Sequence, residues 1–139
     1  ETIPGQIRQV FQNIVGNALK FSKPGVQPII TIMASRVDKL SMNAAPHPNG
    51  DYCCISIKDN GIGFDQRFSE NIFLLFHRLH SKDAYEGTGI GLAIAKKIVE
   101  KHHGLISASS KENLGSVFTI ILPIHQNERA YENDRVGGR

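Results

Sequence analysis

Tyr52-Cys-Cys-Ile-Ser-Ile-Lys-Asp-Asn-Gly-Ile-Gly63 is an alternating, β-branched run that breaks into a turn at Asp59. Residues Tyr52 to Lys58 predict a strand, and its alternation puts Cys53, Ile55, Ile57 and Asp59 on one face. If that face is the core, Asp59 is an inward-facing carboxylate at the strand's end, and a buried carboxylate needs a partner. No Lys or Arg shares that strand face, whereas the exocyclic amine of a bound adenine would be a suitable donor. Gly61 and Gly63 then let the backbone turn and approach such a base closely. Taken alone, the same residues also read as an ordinary Asp-Asn-Gly turn.

Upstream, Pro28 to Val37 reads as a second strand that pairs with the first as a hairpin, joined by an exposed polar loop from Asp38 to Asp51. Further upstream, Ile7, Val10, Phe11, Ile14, Ala18 and Phe21 recur at three- and four-residue steps, which predicts a helix from Pro4 to Phe21, stopped by Ser22-Lys23-Pro24-Gly25. Downstream, Phe68, Ile72, Phe73, Leu75 and Phe76 suggest a short helix packing aromatics inward, and His77 to Thr88 a mobile loop. Ile90 to His103 regains helical periodicity and Gly104 is placed to cap it. Strands are expected near Leu105 to Ser109 and Ser116 to Leu122, completing one sheet. A domain over residues 1–125 would then be followed by a polar tail or linker over 126–139.

Two further patches carry chemistry. Asn13, Asn17 and Lys20, four and three residues apart, form a polar stripe bordering the apolar face of the first helix. Amide carbonyls suit Mg²⁺, a hard cation that prefers oxygen ligands, and Lys20 can meet phosphates; a merely solvated face is the competing reading. Gly87-Thr-Gly-Ile90-Gly91-Leu92 runs into the third helix, so free N–H groups and the positive end of the helix dipole can face phosphates. It lacks the Gly-Lys-Ser/Thr of a Walker loop and the directly preceding strand of a dinucleotide fingerprint, and alone it could serve as a hinge. In this order the three patches describe a cradle for ATP and its metal.

Bulk properties work by exclusion. The chain has 139 residues, 40% of them hydrophobic, enough for one compact domain without disulfides. The net charge of +3 comes from scattered basic residues rather than a stripe, which argues against nucleic acid. Cys53 and Cys54 are adjacent on opposite strand faces, so they read as small buried hydrophobes rather than a disulfide or metal site. No apolar run approaches the roughly 20 residues of a membrane span. The chain opens at Glu1 directly into a helical pattern, so a soluble, cytoplasmic piece of a longer parent is expected, with any membrane anchor outside it.

These residues resemble the catalytic and ATP-binding domain of a sensor histidine kinase, in the superfamily shared with DNA gyrase, mismatch-repair ATPases and heat-shock chaperone ATPases. Asn13 to Phe21 matches the N box, Asp59 to Gly63 the first glycine box, Ile72 to Arg78 the F box and Gly87 to Leu92 the second glycine box, in order. Gly115-Ser-Val-Phe118 followed by Leu122-Pro123 resembles the closing strand, and Phe76 to Leu92 is especially like kinases that follow phytochrome or PAS modules. The F box departs from the family pattern in having Leu74-Leu75 between its aromatics.

The resemblance implies an α/β (α+β) two-layer sandwich, the Bergerat fold, with a mixed sheet and about three helices. It implies Mg²⁺ on Asn17 with Asn13 nearby, Lys20 and Arg78 on the phosphates, Phe21 beside the base and Asp59 on its amine. It assigns Gly61, Gly63, Gly87, Thr88, Gly89, Ile90, Gly91 and Leu92 to the nucleotide as well. Hydrolysing members carry a Glu general base where this chain has Asn13, so the site looks built to hold ATP for transfer. None of the six histidines sits in the family's acceptor motif. The implied partners are therefore an upstream histidine-bearing dimerisation domain and a response-regulator receiver, with a monomeric fragment, a homodimeric parent and no direct membrane contact. An ATP-hydrolysing conformational switch, or a nucleotide-binding module without kinase activity, is the alternative.

Overall fold

The computed structural model describes residues 3–37, 51–74 and 90–124. Helix α1 spans Pro4–Lys20, with Pro4 in its first turn, where a missing N–H costs nothing, and Lys20 in its last, where a cation suits the carbonyl end. Val10, Ile14 and Ala18, at four-residue steps, are its buried stripe. Strands β1 (Ile30–Val37) and β2 (Tyr52–Asp59) pair antiparallel, as the hairpin reading expects. Two single 3-10 turns, Gln66–Phe68 and Asn71–Phe73, precede helix α2 (Gly91–Lys101). Strands β3 (Leu105–Lys111) and β4 (Gly115–Pro123) follow as an antiparallel pair.

The sheet order is β1-β2-β4-β3. Register places Ile55 opposite Ile120 and Ile57 opposite Phe118, so the inward residues of the two central strands stack in rows beneath α1 and α2. Val10, Ile14, Ile57, Ala95, Val99 and Ile120 are at most 1% exposed and form the centre of that layer. Phe73 meets Phe118 edge-on at 90°, with ring centroids 6.2 Å apart, and so joins the second 3-10 turn to β4. Buried His102 accepts the Ile3 N–H on Nε2 at 3.1 Å, while its Nδ1 lies 2.7 Å from the Ile98 carbonyl. The start of α1 is thereby tied to the end of α2, and the two helices run antiparallel.

The two-layer α/β class stands, with corrections in detail. All three pairings among the described residues are antiparallel, so the expected mixed sheet is not found there. The segment read as a short helix is two 3-10 turns, because the backbone extends again at Leu74 (ψ 145°) after a single turn. Ile72 and Phe73 are buried as expected, but Phe68 lies 37% exposed. Gly104 does not supply the left-handed cap; His103 does, at φ 62°. Gly104 is there because a Cβ would strike the Ile121 carbonyl and the Val99 and Leu122 side chains. Cys53 and Cys54 are half-buried rather than buried, and their partners on the edge strand β1, Arg36 and Ser35, are themselves exposed. The Asp38–Asp51 loop before Asp51, the loop read as mobile (His77 to Thr88), and the 126–139 tail lie outside the described residues. Among those described, no helix is long and apolar enough to cross a membrane.

Candidate functional site

An open cleft lies between the helices and the inner face of the sheet. From α1 it receives Asn17 and Ala18, with Phe21 just beyond the helix end; from β2 it receives Asp59. The following turn adds Gly63 and Phe64, the second 3-10 turn Ile72, the first turn of α2 Leu92, and β4 Ser116 and Phe118. Most of this wall is apolar, with Asn17, Asp59 and Ser116 as its polar side chains, a distribution suited to a flat aromatic ligand carrying a few polar groups.

Asp59 ends β2, where the strand's alternation turns its side chain to the same inner face as Ile57. Its Oδ1 accepts the N–H of Gly61 at 2.9 Å and that of Ser116 at 3.3 Å. Among the described residues, nothing donates to Oδ2. Burial raises the carboxyl above its ordinary value of 3.8, and the two backbone N–H groups oppose that shift. The carboxylate is thus held in place by one oxygen and, among the described residues, short of a donor at the other.

The turn after Asp59 is fixed by protein contacts. A Cβ on Gly61 would lie 2.5 Å from the Phe21 carbonyl, the same oxygen that accepts the Ile62 N–H at 2.9 Å. Gly63 has φ +64° and is pressed against the Lys111 carbonyl. The close approach these glycines permit is therefore to α1 and β3; Gly63 lines the cleft and Gly61 does not.

On α1, Asn13 donates from Nδ2 to the Gly91 carbonyl at 2.9 Å, and among the described residues its amide oxygen takes no donor. Asn17 lies one turn on, lines the cleft, and its side chain takes no hydrogen bond among the described residues. Two amide oxygens available on one helix stripe fit a hard cation held beside phosphate. Among the described residues, no group of three or more His, Cys, Asp or Glu could hold a metal, so such an ion would lean on those amides and on its ligand. Lys20 is exposed, its Nζ 5.4 Å from the Phe21 ring centroid, and is not part of the lining.

The cleft thus gathers Asn17, Phe21, Asp59, Gly63 and Leu92 from the expected set, with Asn13 and Gly91 in contact beside it and Ile90 as the cap of α2. Arg78, Gly87, Thr88 and Gly89 lie outside the described residues. Ala18, Phe64, Ile72, Ser116 and Phe118 line the cleft without having been singled out for it. For Ser116 and Phe118 the only signal was the Gly115 to Phe118 match to the family's closing strand.

The family model described as histidine kinase-, DNA gyrase B-, and HSP90-like ATPase matches residues 2–126. The chain belongs to this family. This ATPase-family domain is 42% identical over 130 residues to cyanobacterial phytochrome A of Nostoc sp., covering 94% of the chain and 15% of that relative. A mycobacterial sensor histidine kinase, MprB, superposes with a TM-score of 0.67 at 25% identity, over 86% of this chain and 70% of that one. Full-length ShkA, solved in complex with AMPPNP, shares the fold with a TM-score of 0.64 at 24% identity, over 88% of this chain and 22% of that one. The domain therefore groups with sensor histidine kinases and phytochromes, as its sequence resemblance implies, and it spans about 15% of the curated relative's length.

Proposed function

We propose that this domain binds ATP with Mg²⁺ in the cleft and presents the γ-phosphate to a histidine on a separate dimerisation domain of its parent, as the catalytic part of a protein-histidine kinase. The observation that carries the reading is the inward carboxylate of Asp59, with Oδ1 fixed by backbone and Oδ2 without a donor among the described residues, beside Phe21 in a mostly apolar wall. The adenine amine supplies the missing donor, and the ring of Phe21 flanks the base. Binding of AMPPNP by ShkA, a protein of like fold, supports the same ligand class.

Asn17, with Asn13 beside it, would hold Mg²⁺ through amide oxygen, and the ion would offset phosphate charge. Lys20 and Arg78 would meet the phosphates, together with the N–H groups of the Gly87 to Leu92 stretch, whose last two residues open α2. In the transfer itself an imidazole nitrogen attacks the γ-phosphorus, the bond to the β,γ-bridging oxygen breaks and ADP leaves. Asn13 cannot take a proton from water as a carboxylate could, which favours transfer over hydrolysis. His102 is a poor acceptor for the phosphoryl group, being 1% exposed with both ring nitrogens engaged. None of the six histidines sits in the acceptor motif of the family this chain resembles, so the acceptor is assigned to an upstream segment, with a response-regulator receiver as the next recipient and the ATP supply favouring the cytoplasm. Residues 1–125 form the nucleotide domain, with 126–139 a tail or linker.

Calorimetry of the chain with ATP, with and without Mg²⁺, tests the binding half; no saturation at millimolar nucleotide would rule it out. Labelled ATP tests the transfer half. Phosphate should appear on a separately supplied histidine-bearing dimerisation domain and not on this chain, and stoichiometric label on this chain would refute the division of labour.

A further inference from the structure

Behind Asp59 lies a hydroxyl pair that the nucleotide reading leaves unused. Ser110 on β3 and Ser116 on β4 are directly paired across the two strands, and their Oγ atoms are 2.8 Å apart. Ser110 Oγ also accepts the Phe64 N–H at 2.8 Å and donates to the Gly115 carbonyl at 2.9 Å. A serine hydroxyl has one proton and two acceptor positions. All three contacts of Ser110 are made only if its own proton goes to the Gly115 carbonyl and the Ser116 proton comes to Ser110. The reverse arrangement leaves the Gly115 contact unmade. Ser116, 7% exposed and lining the cleft, then has its proton directed away from the ligand and only lone pairs left for it.

The Ser116 N–H, meanwhile, is given to Asp59 Oδ1. Both protons of Ser116 are thus spent on protein, one on Asp59 and one on Ser110. Among the described residues, the polar side-chain groups at this end of the cleft, Asp59 Oδ2 in the ionised carboxylate and Ser116 Oγ, are acceptors only.

Resting on the reading of the cleft as an adenine-nucleotide site, we infer that Ser110 is a positioning residue for base selection: it touches no ligand, but by taking the Ser116 proton it keeps the base end of the cleft acceptor-only. Such a wall favours a purine with an amine at position 6 over one with an oxo group, whose lone pairs would face those of Asp59 and Ser116. Without the Ser110 oxygen, the Ser116 hydroxyl is free to rotate and donate into the cleft. An oxo group then gains a partner and the amine loses one.

The readout is the ratio of the Kd for inosine diphosphate to that for ADP, measured by calorimetry on the full chain. Ser110→Ala should lower this ratio about tenfold, the worth of about one hydrogen bond, mainly through weaker ADP binding. Ser116→Ala should lower it similarly, and the double variant should go no lower than Ser116→Ala alone, since Ser110 acts through Ser116. Ser110→Thr, which restores the hydroxyl, should keep the ratio. Loss of packing alone would weaken both nucleotides together and leave the ratio where it was. If Ser110→Ala does not fold, Ser110→Cys carries the same test, because a thiol keeps the volume but is a weak acceptor. A ratio unchanged in the folded variant, or additive losses in the double variant, would overturn the role of Ser110 while leaving nucleotide binding intact. Failure of the unaltered chain to bind ADP would overturn the proposed function and this inference with it.

Discussion

At Asp59 the two carboxyl oxygens have separate tasks: Oδ1 accepts from Gly61 and Ser116, and Oδ2 takes no donor among the described residues. Asp59→Asn can keep the first task, because an amide oxygen still accepts both N–H groups, but it sets an NH₂ donor where the adenine amine must donate. The expected result is a loss of ADP affinity of at least about tenfold by calorimetry with little change in melting temperature. Unchanged affinity would reduce Asp59 to a turn residue. The pH dependence follows from the raised carboxyl, whose first cause is burial. In the unliganded domain its contribution to stability is full below 3.8 and is lost as pH rises through the raised value. Nucleotide binding has the opposite sign, since only the carboxylate can accept the amine without supplying a proton of its own. ADP affinity should therefore rise with pH across the window above 3.8, and Asp59→Asn should flatten that rise; calorimetry at a series of pH values tests both.

At the level of elements, the antiparallel helix pair is pinned at both ends by side chain to backbone contacts, Asn13 to Gly91 at one and Ile3 to His102 at the other. His102→Ala would open a cavity among buried residues and leave the Ile3 N–H without its acceptor, so a loss of about 2 kcal/mol or more is expected in urea unfolding. A loss below about 0.5 kcal/mol would mean that the contact contributes nothing beyond surface level. His102 was not legible in this role, because nothing local marks a residue at the end of one helix as the partner of another helix's start. The helices and strands themselves were legible, since Val10, Ile14 and Ala18 repeat at helical steps and Ile55 and Ile57 alternate. Phe68, Ile72 and Phe73 imitate a helical stripe, yet Asp65 Oδ1 accepts the Arg67 N–H and starts a separate short turn there. Gly104 shows the converse: its position after a helix signals a cap, while the real constraint, the Ile121 carbonyl, comes from a strand 17 residues on.

Over the whole molecule, the site was legible where one segment carries it and hidden where two segments meet. Asn17, Phe21 and Asp59 stand out by residue type and spacing, whereas Phe118 reaches the cleft through the register of β4 against β2 and Ser116 sits there beside Asp59, to which it gives its N–H. The same architecture makes the cleft a junction of α1, α2, β2 and β4, so a ligand in it touches both layers and binds only when they are assembled. Nucleotide should therefore stabilise the folded chain by mass action, by about 2.7 kcal/mol at a hundredfold excess over Kd. A 139-residue chain unfolds with an entropy near 0.3 kcal/mol per kelvin, so the melting temperature should rise by about 9 °C with ADP. Scanning calorimetry across a range of ADP concentrations gives the slope as well as the size. The unaltered chain should show a rise that continues logarithmically with ligand, whereas Asp59→Asn should melt close to the unaltered apo domain and gain far less from the same ADP. A shift of equal size in both would mean that Asp59 takes no part in holding ADP and is only a turn residue, and no shift in the unaltered chain would mean that this cleft does not hold a nucleotide.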